Sequence, residues 1–285
     1  MSSAIKIFQG RFGRVALLNM STSLIGHAHH HCHLLMKVGG ADSAFRVRGE
    51  LTPLTQTQAV LVNAWEYHAY EHQSPEQTQI LALYIEPTWL AEIQRSLAAS
   101  GHPHFFPQST ATLSANTLNK VEGFLMEFWW NDEFASQRLE QLLFDLVIDI
   151  IRSHSQWQDL TQLMRMRPHA AKDARIRQAM ALMQQEQGQS FVAFDFAQKV
   201  GLSRAHFYTL FLRDVGVTPL VYANMLRFEA AVRCLSQNKE TVADIAHDLG
   251  FSASSHFSRF FREHLGITPR DYRQKVSLFD AGNRF

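Results

Sequence analysis

One stretch of this chain occurs twice, and the repeat constrains the fold more than any other feature. Residues 195–211 read DFAQKVGLSRAHFYTLF, and residues 244–260 read DIAHDLGFSASSHFSRF. The alignment pairs Ala197 with Ala246, Gly201 with Gly250, Ser203 with Ser252, His206 with Ser255 and Phe211 with Phe260. A glycine and a Thr-Pro pair follow each copy. Such an internal repeat indicates one supersecondary unit used twice.

Each copy has the pattern of two short helices joined by a glycine turn. In the second copy, Thr241 is placed to cap the first helix, and Gly250 can take the left-handed conformation that ends it. Ser252 is placed to cap the next helix. The apolar positions at helical spacing are Val242, Ile245, Ala246 and Leu249, then Phe257, Phe260, Phe261 and Leu265. With polar donors on its outer side, this pattern is typical of a helix-turn-helix that enters the DNA major groove.

The second half of the chain resembles the DNA-binding domain of AraC/XylS-type transcription regulators. The resemblance covers residues from about 170 to 275 and is strongest over Asp244–Arg273 and Leu226–Leu235. In that family a long helix, which here begins at Pro219, joins two helix-turn-helix units rigidly. The resemblance therefore implies that both second helices enter successive major grooves on one DNA face, about 34 Å apart, and bend the DNA.

The resemblance also implies which side chains face DNA. The candidates are Arg204, Ala205, His206, Tyr208, Thr209 and Arg213 in the first copy, and Ser254, Ser255, His256, Ser258, Arg259 and Arg262 in the second. Ala205 is expected to meet only a thymine methyl, whereas Thr209 can bond a base edge. Arg259 is the strongest candidate, bidentate to guanine or to phosphate. The other three arginines are expected to touch phosphates. The alternatives are a solvated position for the small polar residues and local packing for His206.

Charge and composition agree with this division of the chain. Residues 169–276 contain 14 Lys and Arg against 10 Asp and Glu, whereas residues 1–168 contain 12 against 15. The cationic excess thus accompanies the repeat, as phosphate binding requires. Two isolated cysteines, Cys32 and Cys234, indicate a reducing compartment and no disulfide framework. Because no long apolar run or signal-peptide pattern occurs, we expect a cytoplasmic protein with no membrane partner.

The first part of the chain reads as strands followed by helices. Short apolar runs occupy residues 15–20, 33–38, 44–49, 58–63 and 79–85. This spacing predicts an antiparallel barrel or jelly roll, and the family resemblance implies a cupin-like effector domain. Helical spacing follows over residues 87–100, 113–130 and 137–154. The last two helices resemble the family's dimerisation element. Phe124 and the cluster Phe128-Trp129-Trp130 favour a partner helix over a hairpin that packs only on its own barrel.

The predicted fold is therefore α+β with two domains. Residues 1–154 are expected to form the cupin-like effector-binding and dimerisation domain, with an antiparallel barrel and a helix pair. Residues 155–170 are expected to be a linker. Residues 171–276 are expected to form an all-α domain with two helix-turn-helix units joined by a long helix, and residues 277–285 a tail.

Histidines concentrate in the segment GHAHHHCHLLMKVGG. In an extended strand His27, His29, His31 and His33 lie on one face, and His30 and Cys32 on the other. Metal-binding cupins use an H-x-H pair, a carboxylate shortly after it, and a later histidine. His27, His29 and His68 resemble that outline, with His33 in place of the carboxylate. Such a set suits Zn, Cu, Ni or Fe(II); the alternative is a metal-free effector pocket.

Three further residues are candidate effector contacts. Arg46 and Arg48 are two residues apart and would share one strand face, where they can bind a carboxylate or a phosphate. The alternative for them is a solvated strand face. Trp65 is a candidate pocket wall or an ordinary core residue.

Taken together, these features predict a transcription regulator without enzymatic activity. By the habit of the family it is expected to be an activator. Its expected partners are double-stranded DNA, a small-molecule effector, a second copy of the chain and RNA polymerase. Two alternatives remain open: a metal-dependent cupin enzyme with an accessory DNA-binding module, and a constitutive DNA-binding protein with a structural barrel.

Overall fold

The chain folds into a strand-rich N-terminal part and a helical C-terminal part. The computed structural model describes residues 2–130, 136–155, 173–186, 191–237 and 240–278. The N-terminal strands are β1 (Ser3–Gly10), β2 (Gly13–Met20), β3 (Cys32–Gly40), β4 (Ser43–Val47), β5 (Glu50–Leu54), β6 (Gln58–Val62), β7 (His68–Glu71), β8 (Thr78–Ile85) and β9 (Thr110–Thr112). The N-terminal helices are α1 (Pro87–Ile93), a 3₁₀ helix (Arg95–Gly101), α2 (Ala115–Trp130) and α3 (Ser136–His154).

The C-terminal part consists of seven described helices and one short strand. They are α4 (Ala174–Gln185), α5 (Ala193–Lys199), α6 (Arg204–Val215), α7 (Pro219–Gln237), α8 (Val242–Asp248), α9 (Ser254–Leu265), α10 (Pro269–Lys275) and β10 (Val276–Leu278). The predicted linker, residues 155–170, lies outside the described residues except for Ser155, and so does most of the predicted tail. Among the helices that the structure describes, none is both long and apolar enough to cross a membrane.

The strands form two sheets rather than the closed barrel expected from the sequence. One sheet has seven strands in the order β10-β1-β2-β8-β3-β6-β9, and the other has three in the order β5-β4-β7. All neighbours are antiparallel except β1 and β10. No hydrogen-bonded ladder among the described strands joins the two sheets into a ring. They pack face to face through one shared apolar core.

The large sheet is buried on both faces, which explains the continuous apolar runs in its strands. Leu18, Leu35 and Ala82 point toward the small sheet. Their neighbours in sequence, such as Leu17 and Leu83, point to the opposite face and pack under α1, α2 and α3. Alternating polar residues are therefore absent from β2 and β8 because both sides of each strand are covered.

The two phenylalanines of α2 pack within the chain. Phe124 and Phe128 are fully buried, and the Phe128 ring lies edge-on to Phe8 of β1 at 5.0 Å. The sequence predicts that these rings exceed the apolar surface that one core-facing side of the helix needs. That prediction is wrong for both phenylalanines. Trp129 is different, because 55% of its surface is exposed.

The C-terminal helices pack directly on the N-terminal sheets. Residues of α7, α8, α9 and α10 belong to the same apolar core as the residues between the two sheets. Trp65 stacks on Tyr222 of α7 at 4.8 Å, so it belongs to this interface. The Ala4 amide donates to the Asp271 carboxylate, and β10 extends the large sheet by pairing with β1. The sequence predicts no strand at β10, and the tail expected from residue 277 begins inside it.

Candidate DNA-binding surface and histidine cluster

Local sequence sets the ends of the repeated helices as predicted. Thr241 and Asp244 form a capping box at the start of α8, in which the hydroxyl accepts from the Asp244 amide at 3.1 Å. Gly250 has φ of 73°, the left-handed value that ends the helix. The prediction that Ser252 caps α9 is wrong. The N-cap is Ala253, and the Ser252 hydroxyl instead lies 2.9 Å from His256 Nδ1.

The two units match closely, but their turns differ by one residue. α5 and α8 have seven residues each, and α6 and α9 have twelve each. Residues 200–203 connect the first pair of helices, whereas residues 249–253 connect the second. The ungapped alignment is therefore correct as far as the two turn glycines. After the glycines it is displaced by one residue, because the second turn is one residue longer. The corrected pairs are Ser203 with Ala253, His206 with His256, Thr209 with Arg259 and Phe211 with Phe261.

The predicted DNA contacts form one outer face on α6 and one on α9. Arg204, Ala205, His206, Thr209, Arg213, Ser254, Ser255, His256, Arg259 and Arg262 are exposed, and Tyr208 and Ser258 are half-buried. The inner faces are held by Phe207 and Phe211 in α6 and by Phe257 and Phe261 in α9, all fully buried. These rings fix which face of each helix is presented outward.

Some of these side chains are already engaged within the protein. Arg213 Nε donates to the buried carboxylate of its neighbour Asp214 at 2.7 Å, and that carboxylate also accepts from the Asp173 amide at the start of α4. The Thr209 hydroxyl donates to the Ala205 carbonyl at 3.1 Å. Arg259 is freer, because its Nε lies 4.0 Å from the Glu263 carboxylate and 75% of its side chain is exposed. Arg259 is therefore less constrained by its own protein than Arg213 is.

The histidines gather between the two sheets and beside α9. His33 lies on β3 of the large sheet and His68 on β7 of the small sheet, while His27 and His29 lie in the segment that precedes β3. The His27 and His68 backbones exchange two hydrogen bonds of 2.9 Å, and the Trp65 amide donates to the His29 carbonyl. All four side chains are at most 6% exposed. We call these four residues the histidine cluster.

Strand alternation does not describe the whole histidine segment. β3 begins only at Cys32, so the residues before it do not alternate faces. His30 and His31 are adjacent in sequence, yet both bind Glu86, at 2.9 and 3.0 Å. The predicted placement of His30 opposite the odd-numbered histidines is therefore wrong, because its ring lies 4.0 Å from that of His31, which itself lies 5.5 Å from the His29 ring. The face of Cys32 is as predicted, since it packs under the helices on the far side of the sheet.

Backbone carbonyls select the tautomers of two cluster histidines. His27 Nδ1 lies 2.9 Å from the Ile25 carbonyl, and His68 Nδ1 lies 2.8 Å from the Glu66 carbonyl. A carbonyl oxygen can only accept, so each Nδ1 carries the proton and each Nε2 keeps its lone pair. Burial lowers the pKa of His68 to about 4 and lowers the pKa of His27, His29 and His33 well below the usual value. These imidazoles are therefore neutral ligands at physiological pH.

A second polar group, which the sequence did not reveal, lies at the domain interface. The Arg14 guanidinium is buried over the Tyr84 ring at 4.0 Å, and its Nη2 is 4.0 Å from Glu229 of α7. His31 lies between Glu86 and Glu229. For the neighbouring His30, burial lowers the pKa. The hydrogen bond to Glu86 and the charges of Glu229 and Glu86 outweigh this effect, so the pKa of His30 is raised. The sequence does offer one signal for this polar group. Glu229 is a charged residue within the otherwise apolar stripe of α7.

A cavity adjoins the histidine cluster. Its lining includes His27, His33, His68 and Leu265 of α9, and its volume is about 20 Å³. Arg46 and Arg48 do not line it, because they form ion pairs with Glu71 and Glu66 respectively. They do not share a strand face either. β4 ends at Val47, and Arg48 has φ of 55° in the following turn.

Comparison with known proteins agrees with this architecture. A helix-turn-helix domain family matches residues 196–275. A Haemophilus influenzae protein named an uncharacterised HTH-type transcriptional regulator is 30% identical over 159 residues, 55% of this chain and 52% of that protein, so the chain spans about half of its length. The transcriptional activator RhaS of an Enterobacter species is 25% identical over 252 residues, 86% of each chain.

A solved structure shows that the two-domain arrangement has precedent. The chain is similar in fold to ToxT of Vibrio cholerae, solved with a bound unsaturated fatty acid, with a TM-score of 0.56 and 13% identity over 92% of this chain and 95% of that one. The paired helical units and the strand-rich domain before them define a regulator with a double helix-turn-helix domain. These matches support the resemblance of the chain to the AraC/XylS family of transcription regulators.

Proposed function

We propose that this chain is a sequence-specific DNA-binding transcription regulator whose two helix-turn-helix units read adjacent major grooves. The observation that carries the proposal is the pair of matching outer faces on α6 and α9, each rich in hydrogen-bond donors. A single rigid helix, α7, separates the two units. The Enterobacter relative is named an activator, and we extend that role to this chain, with RNA polymerase as a further partner.

Arg259→Ala is expected to lower operator affinity by about 1–3 kcal/mol, the usual worth of a bidentate base contact. DNA fragments enriched by the wild-type protein from a genomic library supply the operator, and fluorescence anisotropy measures the affinity. Arg95→Ala is the matched control, because Arg95 is also exposed but lies in the N-terminal 3₁₀ helix. Unchanged affinity with a normal circular dichroism spectrum would remove Arg259 from the interface. Failure of the wild-type protein to enrich any fragment would contradict the function itself.

We further propose that the N-terminal domain is a cupin-like sensor that controls DNA binding. Support comes from the cavity beside the histidine cluster, which touches both domains through Leu265. It also comes from ToxT, a protein of this fold whose structure contains a small molecule. Because α7 to α10 share a core with the sheets, a ligand there can alter how the helix-turn-helix units are held. For the domain bounds we keep the proposal made from the sequence, in which the sensor ends near residue 154.

We also propose that the protein is a homodimer formed through α2. Leu118, Leu125 and Trp129 lie along one side of this helix, are half-buried or exposed, and form an apolar stripe at steps of seven and four residues. Trp129→Glu is expected to weaken self-association at least about tenfold, because a buried aromatic anchor would become charged. Sedimentation velocity over a concentration series measures this. Gln137→Glu, an exposed site on α3, is the control. Equal dimerisation by both variants would place the interface elsewhere.

A further inference from the structure

We infer that the histidine cluster is a binding site for a divalent transition-metal ion. The bound ion affects the position of α9 through His27 and the adjoining backbone of Ile25. The inference rests on the proposed function, since it names the ligand class of the proposed sensor. It follows from four observations on the described residues, which concern donor spacing, tautomers, cavity size and connection to α9.

The donor atoms are spaced as ligands of one ion. Ligand nitrogens of His27, His29 and His68 lie within 4.8 Å of one another, and His33 adjoins them through a hydrogen bond of 3.1 Å between its Nδ1 and His29 Nε2. Two imidazole nitrogens on one tetrahedral zinc ion are about 3.3 Å apart, given Zn–N bonds of about 2.0–2.1 Å. The side chains therefore need only small movements to converge on one ion. Neutral imidazole is a suitable ligand for Zn, Cu, Ni and Fe(II).

The tautomers leave lone pairs facing the centre of the cluster. His27 and His68 each donate Nδ1–H to a backbone carbonyl, which is the outer hydrogen bond that metal-ligating histidines usually make. His68 Nε2, His33 Nε2 and His29 Nδ1 are buried, and none has a hydrogen-bond partner among the described residues. Each such buried atom costs about 1–3 kcal/mol. Metal coordination satisfies several of them at once.

The cavity is of a size for an ion and not for an organic effector. Its volume of about 20 Å³ admits about one water molecule. The remaining lining is mostly aliphatic and aromatic, including Leu18, Leu35 and Phe45. A wall of that kind offers few further polar contacts to an organic ligand, whereas the imidazoles provide the ligand nitrogens that an ion requires.

The cluster is connected to α9 by a short chain of bonds. The Ile25 carbonyl accepts from His27 Nδ1, and the Ile25 amide donates to the Glu263 carbonyl near the end of α9 at 3.2 Å. His264, the next residue, is buried with its ring 6.0 Å from that of His27. An ion that fixes the His27 ring thus fixes the residue that holds the end of the helix. The outer face of the same helix carries Arg259.

Metal binding is tested first, on the full chain stripped with a chelator and then titrated with Zn²⁺ alone. We expect one Zn²⁺ per chain by mass spectrometry, and Co²⁺ is expected to give the visible bands of a four-coordinate site. His68→Gln should weaken Zn²⁺ binding at least about 100-fold, because loss of even an outer-shell partner costs 10–100-fold. His29→Gln serves as a second variant if His68→Gln does not fold by circular dichroism.

The matched control is His247→Ala, since the His247 side chain is 90% exposed on α8. Equal Zn²⁺ affinity in His247→Ala and both cluster variants would overturn the site, as would failure of the wild-type chain to bind the ion. Operator affinity is then measured with and without Zn²⁺, and we expect a change of at least about fivefold, the lower range of allosteric coupling. An unchanged affinity would overturn the link to α9. Absence of DNA binding in both states would instead contradict the proposed function and leave the metal result standing.

Discussion

Replacing Phe261 with alanine is expected to lower the free energy of unfolding by about 3–5 kcal/mol, the usual cost of removing a fully buried phenylalanine ring. Phe261 is completely buried on the inner face of α9. Its ring lies 5.2 Å from Phe228 of α7 and 5.5 Å from Tyr272 of α10. The substitution therefore leaves a cavity where three helices meet, and the neighbouring rings cannot all collapse into it.

Urea unfolding followed by circular dichroism measures this change. Phe194→Ala is a suitable control, because Phe194 occurs in the first unit but is 53% exposed and should lose much less stability. Since α9 also carries Arg259, operator affinity should fall together with stability in Phe261→Ala. Equal unfolding free energies for the two variants would show that the α9 core is not packed as described.

Glu229→Gln is expected to lower the free energy of unfolding by about 3 kcal/mol, because it leaves the buried Arg14 charge without its carboxylate. Only 2% of the Arg14 side chain is exposed, and its Nη2 lies 4.0 Å from Glu229 Oε1. Arg14 belongs to β2 and Glu229 to α7, so the pair links the two domains. The same carboxylate also lies 3.8 Å from His31 Nδ1.

Glutamine has the same size as glutamate, so the packing is unchanged. The decrease in the free energy of unfolding therefore measures the contribution of the Glu229 charge. Glu122→Gln on the exposed side of α2 provides the control and should differ from wild type by less than about 0.5 kcal/mol. Differential scanning calorimetry and urea unfolding should give the same ranking. If Glu229→Gln is as stable as Glu122→Gln, the Arg14 charge is compensated by other groups.

The C-terminal domain could be predicted because its signals are local. Helix spacing, the Thr241 cap and the left-handed Gly250 each depend on a few neighbouring residues, and the repeat supplied them twice. The one-residue difference between the turns is hidden in an ungapped alignment, because Ser203 and Ser252 match well. The sequence does contain the signal, since Gly201 and Gly250 are 49 residues apart whereas Gly216 and Gly266 are 50 apart. The buried positions of Phe211 and Phe261 agree, and Ala253 takes the place of Ser203.

The N-terminal domain was harder to predict because its contacts are distant in sequence. The expected helix over residues 87–100 is divided at Gln94, and the short strands β5, β7 and β9 have too few residues to show a period. His27, His29 and His68 do meet, as the histidine pattern suggested. The partners of Arg46 and Arg48 could not be foreseen, since Glu71 and Glu66 are brought to them by sheet pairing and by a turn.

The parallel pairing of β1 with β10 bears on how the protein is made. Residues 7–9 pair with residues 276–278, so one edge of the N-terminal sheet lacks its neighbour until residue 278 has been synthesised. An unpaired strand edge is a template for pairing with other chains, and ribosomes add only about 5–20 residues per second. The nascent N-terminal part thus spends some seconds with the β1 edge open. That edge is covered only by residues that follow the last described helix of the C-terminal part.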